Sequence, residues 1–266
     1  MKISVITTAY NSAATLRDTF ESMLRQTFKD IEYLVIDGAS SDGTVDIIRT
    51  YEPRFNGRMR WISEPDNGLY DAMNKGIAMA TGEVVGFLNS DDFYTSDDVL
   101  ATVAETLGRT GADAVYGDVH YVKPDDLDRT VRYYSSQRFS RGWMILGFMP
   151  AHPSFYCRRQ IYRDYGAFDT RYKVAADFEC LLRFIYIHGI TTVCLPKDFV
   201  TMRTGGTSTS GLRSHRQIMK DHRRALRSNG VCSCTLLLSL RYVYKVWELL
   251  FGKRPNRLSH SNSQMA

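Results

Sequence analysis

The stretch Ile3-Ser4-Val5-Ile6-Thr7-Thr8, followed by an amphipathic segment over residues 14–26 and then by Ile31-Glu32-Tyr33-Leu34-Val35-Ile36, decides the fold class. Two short β-branched runs flank a segment in which Leu16, Phe20, Met23 and Leu24 recur at helical spacing. The alternation continues, with strand patterns at 59–62 and 84–88 and helix patterns at 44–51 and 69–80. Strands joined by crossover helices predict an α/β fold with a doubly wound, mostly parallel sheet, and place ligands at the carboxyl ends of the strands. A helix over 97–107, opened by Asp97, and a strand over 114–119 extend the pattern. Residues 121–147 are polar and aromatic and read as a cover rather than a central sheet. A strand at 154–157, a helix at 175–188 and a strand at 191–195 follow, and the polar, glycine-rich run at 204–211 reads as a mobile loop. No internal repeat is present.

The chain has 266 residues, 44% hydrophobic and 24% charged, which excludes a disordered or fibrous protein. No run of about 18 uncharged apolar residues exists, which excludes a polytopic membrane protein. The net charge of +5 divides unevenly. Residues 211–257 hold eleven cationic residues against two acidic ones, a net of +9, which leaves −4 for residues 1–210. Five cysteines without CxxC pairs argue against a zinc site, and three of them lie in apolar segments as small buried thiols. Met1-Lys2 leads directly into a strand pattern, without the n-region, h-region and cleavage site of a secretory signal, so the expected setting is a reducing cytoplasm.

Three strand ends hold the candidate chemistry. The first runs into Thr7-Thr8-Ala9-Tyr10-Asn11 and the second into Asp37-Gly38-Ala39-Ser40-Ser41-Asp42-Gly43-Thr44. Neither is GxGxxG after the first strand, and no GxxxxGK[ST] occurs, so a Rossmann dinucleotide site and a P-loop are both disfavoured. Asp37 can accept a hydrogen bond from a base or ribose and Tyr10 can stack on a base; equally, Asp37, Ser41 and Asp42 can serve as Asx-turns and caps. The fourth strand ends in Asn89-Ser90-Asp91-Asp92, where two adjacent carboxylates call for a cation or a shared proton, unless one of them only starts a turn. Asp177 opens a helix with apolar Phe178, Leu181, Leu182 and Ile185; it is either an N-terminal carboxylate favoured by the helix dipole or a rigidly held general base. His152, between Pro150 and Pro153, is structural or contacts phosphate or acceptor.

These blocks, together with Gly68-Leu69-Tyr70-Asp71-Ala72-Met73-Asn74-Lys75-Gly76 and Ala80-Thr81-Gly82-Glu83, resemble in order and spacing the family 2 inverting glycosyltransferases of the GT-A fold. The resemblance covers residues 1–210 and is nearest to bacterial enzymes of colanic acid and O-antigen assembly. It implies that Thr8, Tyr10 and Asp37 hold a nucleobase, usually uracil, that Asp91 meets the ribose, and that Asp92 ligates the Mg²⁺ or Mn²⁺ on the donor diphosphate. Asn11 and Asp42 belong to the same donor loops. Asp177 matches the carboxylate that takes the acceptor hydroxyl proton, with Ala176 where the family often has an acidic partner. Met73 replaces a common arginine, so a diphosphate contact falls to Lys75, Arg203 or His152.

The resulting expectation is a catalytic domain over 1–210, with a donor half at 1–119 and an acceptor half at 120–210. A basic amphipathic helical region at 211–257 and a disordered tail at 258–266 complete it. Within 231–251, apolar residues alternate with Arg241 and Lys245, which fits an interfacial helix on anionic lipid or a helix packed on the body. The expected partners are a nucleotide-sugar donor, a saccharide acceptor linked to undecaprenyl diphosphate, and the cytoplasmic face of the inner membrane; no nucleic-acid module appears. Two other classes compete. A nucleotidyltransferase would require a basic, glycine-rich phosphate loop after the first strand, which residues 7–11 lack, and a non-catalytic assembly subunit would tolerate loss of Asp92 and Asp177.

Overall fold

The computed structural model describes residues 1–205 and 211–241. The centre of the sheet is β1 (Ile3–Ala9), all seven residues of which are buried. It pairs in parallel with β2 (Ile31–Asp37), from Ile3 opposite Ile31 to Ala9 opposite Asp37, and on its other side with β4 (Val84–Phe87). Strand β3 (Met59–Ser63) joins β2, also in parallel. Helices α1 (Leu16–Arg25), α2 (Thr44–Tyr51) and α3 (Leu69–Met79) are the crossovers, and each starts within two residues of its expected position.

The second half of the sheet is mixed. Beyond β4 lie β8 (Tyr156–Arg158), β6 (Ala114–Lys123), β9 (Thr192–Arg203) and the two-residue β5 (Phe93–Tyr94). Strand β8 is antiparallel to both β4 and β6, whereas β6 and β9 run parallel. The region expected to be a cover is partly strand: β6 runs on to Lys123 and β7 (Asp126–Tyr134) turns back along it, followed by a 3₁₀ segment at Arg141–Leu146. Strand β7 is exposed over its first six residues, so it lacks the alternating apolar pattern by which a half-buried strand is recognised. Helix α4 (Val99–Thr110) begins after Asp98 rather than at Asp97, whose carboxylate pairs with Arg25 at 3.2 Å. The short α5 (Arg159–Tyr165) was not expected, and the helix expected at 175–188 is α6 (Ala176–Leu181) continued as a π-helical turn over Leu182–Ile187.

Apolar side chains cover both faces of the sheet. Helices α1, α2 and α4 pack on one face through Phe20, Ile48 and Val103, and α3, α5 and α6 on the other through Met73, Tyr162 and Phe178. The latter core also receives Ala225 and Leu226 of α7 (Gly211–Ser228) and Leu238 from a helical stretch at 235–241, so the chain after the sheet packs on the body at least to residue 241. Cys157 and Cys180 are buried, Cys194 is half-buried, and all five thiols are free. No helix among the described residues is long and apolar enough to cross a membrane. Residues 206–210 and 242–266, which include most of the loop expected at 204–211, the rest of the interfacial segment and the expected tail, lie outside the described residues.

Gly86 of β4 shows how close the sheet packs: a Cβ there would sit 2.1 Å from the ring of Tyr156, which is fully buried and bonded to the Tyr94 hydroxyl at 2.6 Å. Gly86→Ala is therefore expected to lower stability by about 1–3 kcal/mol, the usual cost of overpacking. Urea denaturation with an unchanged midpoint would contradict this packing.

Candidate active site

Hydroxyls and carboxylates tie the loops after β1, β2 and β4 into one rim. Asn11 lies at φ 49° and Ala39 at φ 60°, left-handed conformations unusual for residues other than glycine. Asn11 bridges the first two loops: its N–H donates to Ser40 Oγ at 2.8 Å and its Oδ1 accepts from the Ser41 N–H at 3.0 Å. Asp42 does the same from the other side, accepting from the Ala13 N–H at 3.0 Å and from the Thr44 hydroxyl at 2.5 Å. These bonds, the Thr44 hydroxyl first, lower its pKa. The third loop joins through Ser12 and Ser90, whose hydroxyls are 2.8 Å apart, and through Thr15 and Thr19, which donate to the carbonyls of Ser90 and Asp92 at 2.8 and 2.7 Å. Asn11 and Asp42 thus form the framework of the rim.

Asp37, at the end of β2, is fully buried and already accepts three hydrogen bonds, from the Ser40 hydroxyl at 2.5 Å, the Ser40 N–H at 3.0 Å and the Ser63 hydroxyl at 2.6 Å. A carboxylate has about four acceptor positions, so one remains. Thr8 is 7% exposed and Tyr10 68%, which leaves the tyrosine ring open to stacking. Gly38 lets the loop close: a Cβ there would lie 3.0 Å from Asp66 Oδ2 and 3.3 Å from the Tyr10 ring.

The three candidates for a phosphate-facing cation separate clearly. The Lys75 ammonium is held by Asp66 at 2.6 Å, Glu64 at 2.9 Å and the Pro65 carbonyl at 2.9 Å, which accounts for all three of its protons. The bonds to Asp66 and Glu64 raise its pKa. Lys75 therefore anchors the loop that brings Asp66 to Gly38. His152 packs against Phe87 with its ring tilted by 34° and is set edge-on against Phe168, with centroids 5.0 and 5.4 Å away, and burial lowers its pKa to about 4, so it is neutral at physiological pH. Its Nε2 is buried without a hydrogen-bond partner among the described residues. Arg203, at the end of β9, is 7% exposed; it donates to the Asp91 carbonyl at 2.5 Å and pairs with Asp18. Met73, in the position of the common arginine, is 2% exposed and belongs to the core.

Burial raises the pKa of both Asp91 and Asp92, and the charge of Asp91 adds to the effect on Asp92, while the Arg203 guanidinium opposes it in both. Asp92 is 1% exposed and accepts from Asn89 Nδ2 at 2.9 Å. Among the described residues no group of three or more His, Cys, Asp or Glu is gathered to hold a metal ion. Asp177 stands at the start of α6, where burial raises its pKa to about 6. Its Oδ1 accepts from the Phe178 N–H at 2.8 Å and lies 3.3 Å from the Tyr70 hydroxyl, which donates to the Val174 carbonyl at 2.5 Å. Burial raises the pKa of the Tyr121 hydroxyl in β6; the Arg132 guanidinium opposes the rise, and the charges of Asp92 and Asp177 add to it. The two carboxylates thus act on one phenol.

The arrangement is a sheet-edge rim with an exposed aromatic ring, a buried acidic pair and a separate carboxyl of raised pKa. The family model for glycosyl transferase family 2 matches residues 4–166. The chain belongs to glycosyl transferase family 2. The glycosyltransferase is 33% identical over 181 residues to a PGL/p-HBAD biosynthesis glycosyltransferase of Mycobacterium bovis, covering 68% of each chain. An uncharacterized glycosyltransferase of Mycobacterium tuberculosis is 34% identical over 220 residues, 81% of this chain and 78% of its own. Among solved structures, S. aureus TarS 1–349 in complex with UDP-GlcNAc gives a TM-score of 0.70 at 20% identity, covering 95% of this chain and 76% of that one. The mannosyltransferase PcManGT of Pyrobaculum calidifontis, in complex with GDP-Man and Mn²⁺, gives 0.59 at 16% identity, covering 93% and 80%. The glycosyltransferase spans 40% of another TarS crystal chain. Its fold is that of the GT-A glycosyltransferases.

Asp66, Tyr70 and Tyr121 were not singled out from the sequence as site residues. Asp66 had a visible signal, an acidic residue three positions after β3 in Glu64-Pro65-Asp66, whereas the two tyrosines had none until the chain was folded. A carboxyl whose folded pKa exceeds its unfolded value, about 3.9, stabilises the fold less as pH rises through the folded pKa. Asp92→Asn removes that loss, so with EDTA present at pH 8 the variant glycosyltransferase is expected to melt at least about 2 °C above wild type. The gap should shrink on acidification. Equal melting at both pH values would show that the Asp92 charge is not uncompensated.

Proposed function

We propose that the protein is a metal-dependent, inverting glycosyltransferase that moves a sugar from a UDP-sugar to a hydroxyl of a lipid-linked saccharide during cell-surface polysaccharide assembly. The observation that carries the reading is Asp177 itself, fixed at the start of α6 with its Oδ1 2.8 Å from the Phe178 N–H and 3.3 Å from the Tyr70 hydroxyl, and with its pKa raised by burial to about 6. A general base is most effective when its pKa lies near the working pH, and burial has brought Asp177 there. The UDP-GlcNAc complex of TarS supports the choice of donor, and the Mn²⁺ complex of PcManGT supports a cation.

The roles follow from position. The exposed ring of Tyr10 stacks on the base, while Thr8 and the remaining acceptor position of Asp37 meet its polar edge. Asp91 faces the ribose. The fit of a divalent cation rests on the excess of buried negative charge at Asp91 and Asp92: Asp92 would hold the ion, and donor phosphate and water would complete its shell. When bound, the ion supplies charge stabilisation to the leaving diphosphate. Arg203 adds a fixed positive charge beside the pair, whereas His152 contributes an uncharged imidazole packed between Phe87 and Phe168. Asp177 takes the proton from the acceptor hydroxyl as that oxygen attacks the anomeric carbon opposite the departing nucleoside diphosphate, which inverts the configuration. The proton arrives on a carboxyl adjacent to the Tyr70 oxygen.

The basic C-terminal region suits an acceptor held at a membrane, an undecaprenyl-diphosphate-linked saccharide on the cytoplasmic face. Arg216, Lys220, Arg223, Arg224 and Arg227 are exposed along α7, and Leu236 and Leu240 of the following helical stretch are 74% and 45% exposed. Exposed cations near anionic lipid contribute about 1 kcal/mol each.

Asp177→Asn is expected to keep UDP-sugar affinity and lose transfer by about 10²–10⁴-fold; turnover at the wild-type rate would reject the base. Wild-type transfer should decline as pH falls below about 6, because Asp177 then holds its proton. Calorimetry with Mn²⁺ and UDP should give metal-dependent binding that Asp92→Ala abolishes, and equal binding by that variant would remove Asp92 from the cation site. Arg223→Ala combined with Arg227→Ala should weaken sedimentation with phosphatidylglycerol vesicles by about fivefold per residue. Undiminished binding would detach the basic helix from the lipid reading.

A further inference from the structure

Asp221 is the only acidic residue between 211 and 247, a segment that contains eight cations, and it is buried, at 4% exposure. Its Oδ2 accepts from the Val174 N–H at 3.1 Å and its Oδ1 from Gln217 Nε2, one turn earlier, at 2.8 Å. Val174 is thereby held from both ends of its peptide framework, because its carbonyl accepts from the Tyr70 hydroxyl at 2.5 Å. The next residue of α7, His222, stacks on Phe178 with ring centroids 3.9 Å apart and planes 12° from parallel. On the far side of that ring, one guanidinium nitrogen of Arg241 lies 2.9 Å from His222 Nδ1 and 3.5 Å from Nε2. Two consecutive residues of α7 therefore grip positions 174 and 178, which bracket Asp177.

We propose that Asp221, seconded by His222, is a positioning residue for the general base, so that the C-terminal helix is a working part of the active site. The proposal rests on the assignment of Asp177 as that base. Its physical content is twofold. The bond to Val174 fixes the turn from which Asp177 projects, and the Asp221 carboxylate places a negative charge where it favours the protonated form of Asp177. The other groups around Asp177 are Tyr70 from α3, Tyr121 from β6 and Cys180 on its own helix, with Glu179 paired to Arg183 at 3.0 Å. Asp92 and Arg132 in turn act on the Tyr121 hydroxyl. Asp221 is the member of this set whose charge can be removed with little change in shape.

The test uses the full chain labelled with ¹³C-carboxyl aspartate, in which the Asp177 resonance is assigned by its loss in Asp177→Asn. In Asp221→Asn the titration midpoint of Asp177 is expected to fall by about half a pH unit or more. The Val174 amide should stay protected from hydrogen exchange, since the asparagine oxygen still accepts its bond. In Asp221→Ala the Val174 amide should exchange at least about tenfold faster. An Asp177 midpoint unmoved in Asp221→Asn overturns the electrostatic half of the proposal, and Val174 protection unmoved in Asp221→Ala overturns the positional half. Transfer measured in Asp177→Asn separates these outcomes from failure of the base assignment, because a fully active Asp177→Asn rejects the base whatever Asp221 does. Melting of Asp221→Asn within a few degrees of wild type, followed by circular dichroism, confirms that the comparison is made on folded protein.

Discussion

The site depends on the register of one buried strand. Strand β1 lies between β2 and β4 with Ala9 level with Asp37, and Ile6 level with Phe87, so the three strands deliver their loops to the same edge of the sheet. A slip of one residue would turn every side chain of β1 to the opposite face, exchanging Ile6, which packs toward α3, with Val5, which packs toward α1. Parallel pairing also requires a crossover between each pair of strands, and those crossovers are what place Tyr70 of α3 on the face later covered by α6 and α7. The rim loops and Tyr70 on the opposite face are thus consequences of a single alignment.

The acidic groups differ by environment more than by chemistry. Asp37 and Asp42 are surrounded by hydroxyl and N–H donors, and Asp42 ionises more readily as a result. Asp91, Asp92 and Asp177 have fewer donors and are taken out of water, so they hold their protons more firmly. One residue type thereby serves in some places as a saturated loop anchor and in others as a carboxyl of raised pKa. Lysine and histidine show the same lesson: Lys75 is saturated by acidic neighbours, and His152 is uncharged between aromatic rings, so formal charge alone does not identify a phosphate contact.

The parallel half of the sheet was legible in the sequence because its strands are apolar on both faces and its helices have clean apolar stripes, as Phe20 and Met23 of α1 show. The carboxylates after those strands were legible for the same reason, since an acidic residue stands out at the end of a buried run. Strand β7 was not, because six exposed residues leave no periodicity, and α5 is only seven residues long. The roles of Tyr70, Tyr121 and Asp221 could not be read from spacing, since each acts on a residue between 29 and 107 positions away; Asp221 looked like an interruption in a basic helix until Val174 was found beside it. The tail divides in the same manner: Leu238 and Arg241 are buried while Leu236 and Leu240 remain outside, so packing on the body and contact with another surface use different faces of one segment.

The serine and threonine hydroxyls that link the three rim loops have an entropic meaning. Ser12, Thr15, Thr19, Ser40, Ser63, Thr44 and Ser90 complete their bonds within the folded chain, so the entropy of ordering these loops is spent during folding and little is left to lose when a nucleotide arrives. The rim is thereby ordered before any ligand meets it. The opposite wall is ordered differently: the turn before Asp177 is held by side chains from a helix contributed by a distant part of the polypeptide.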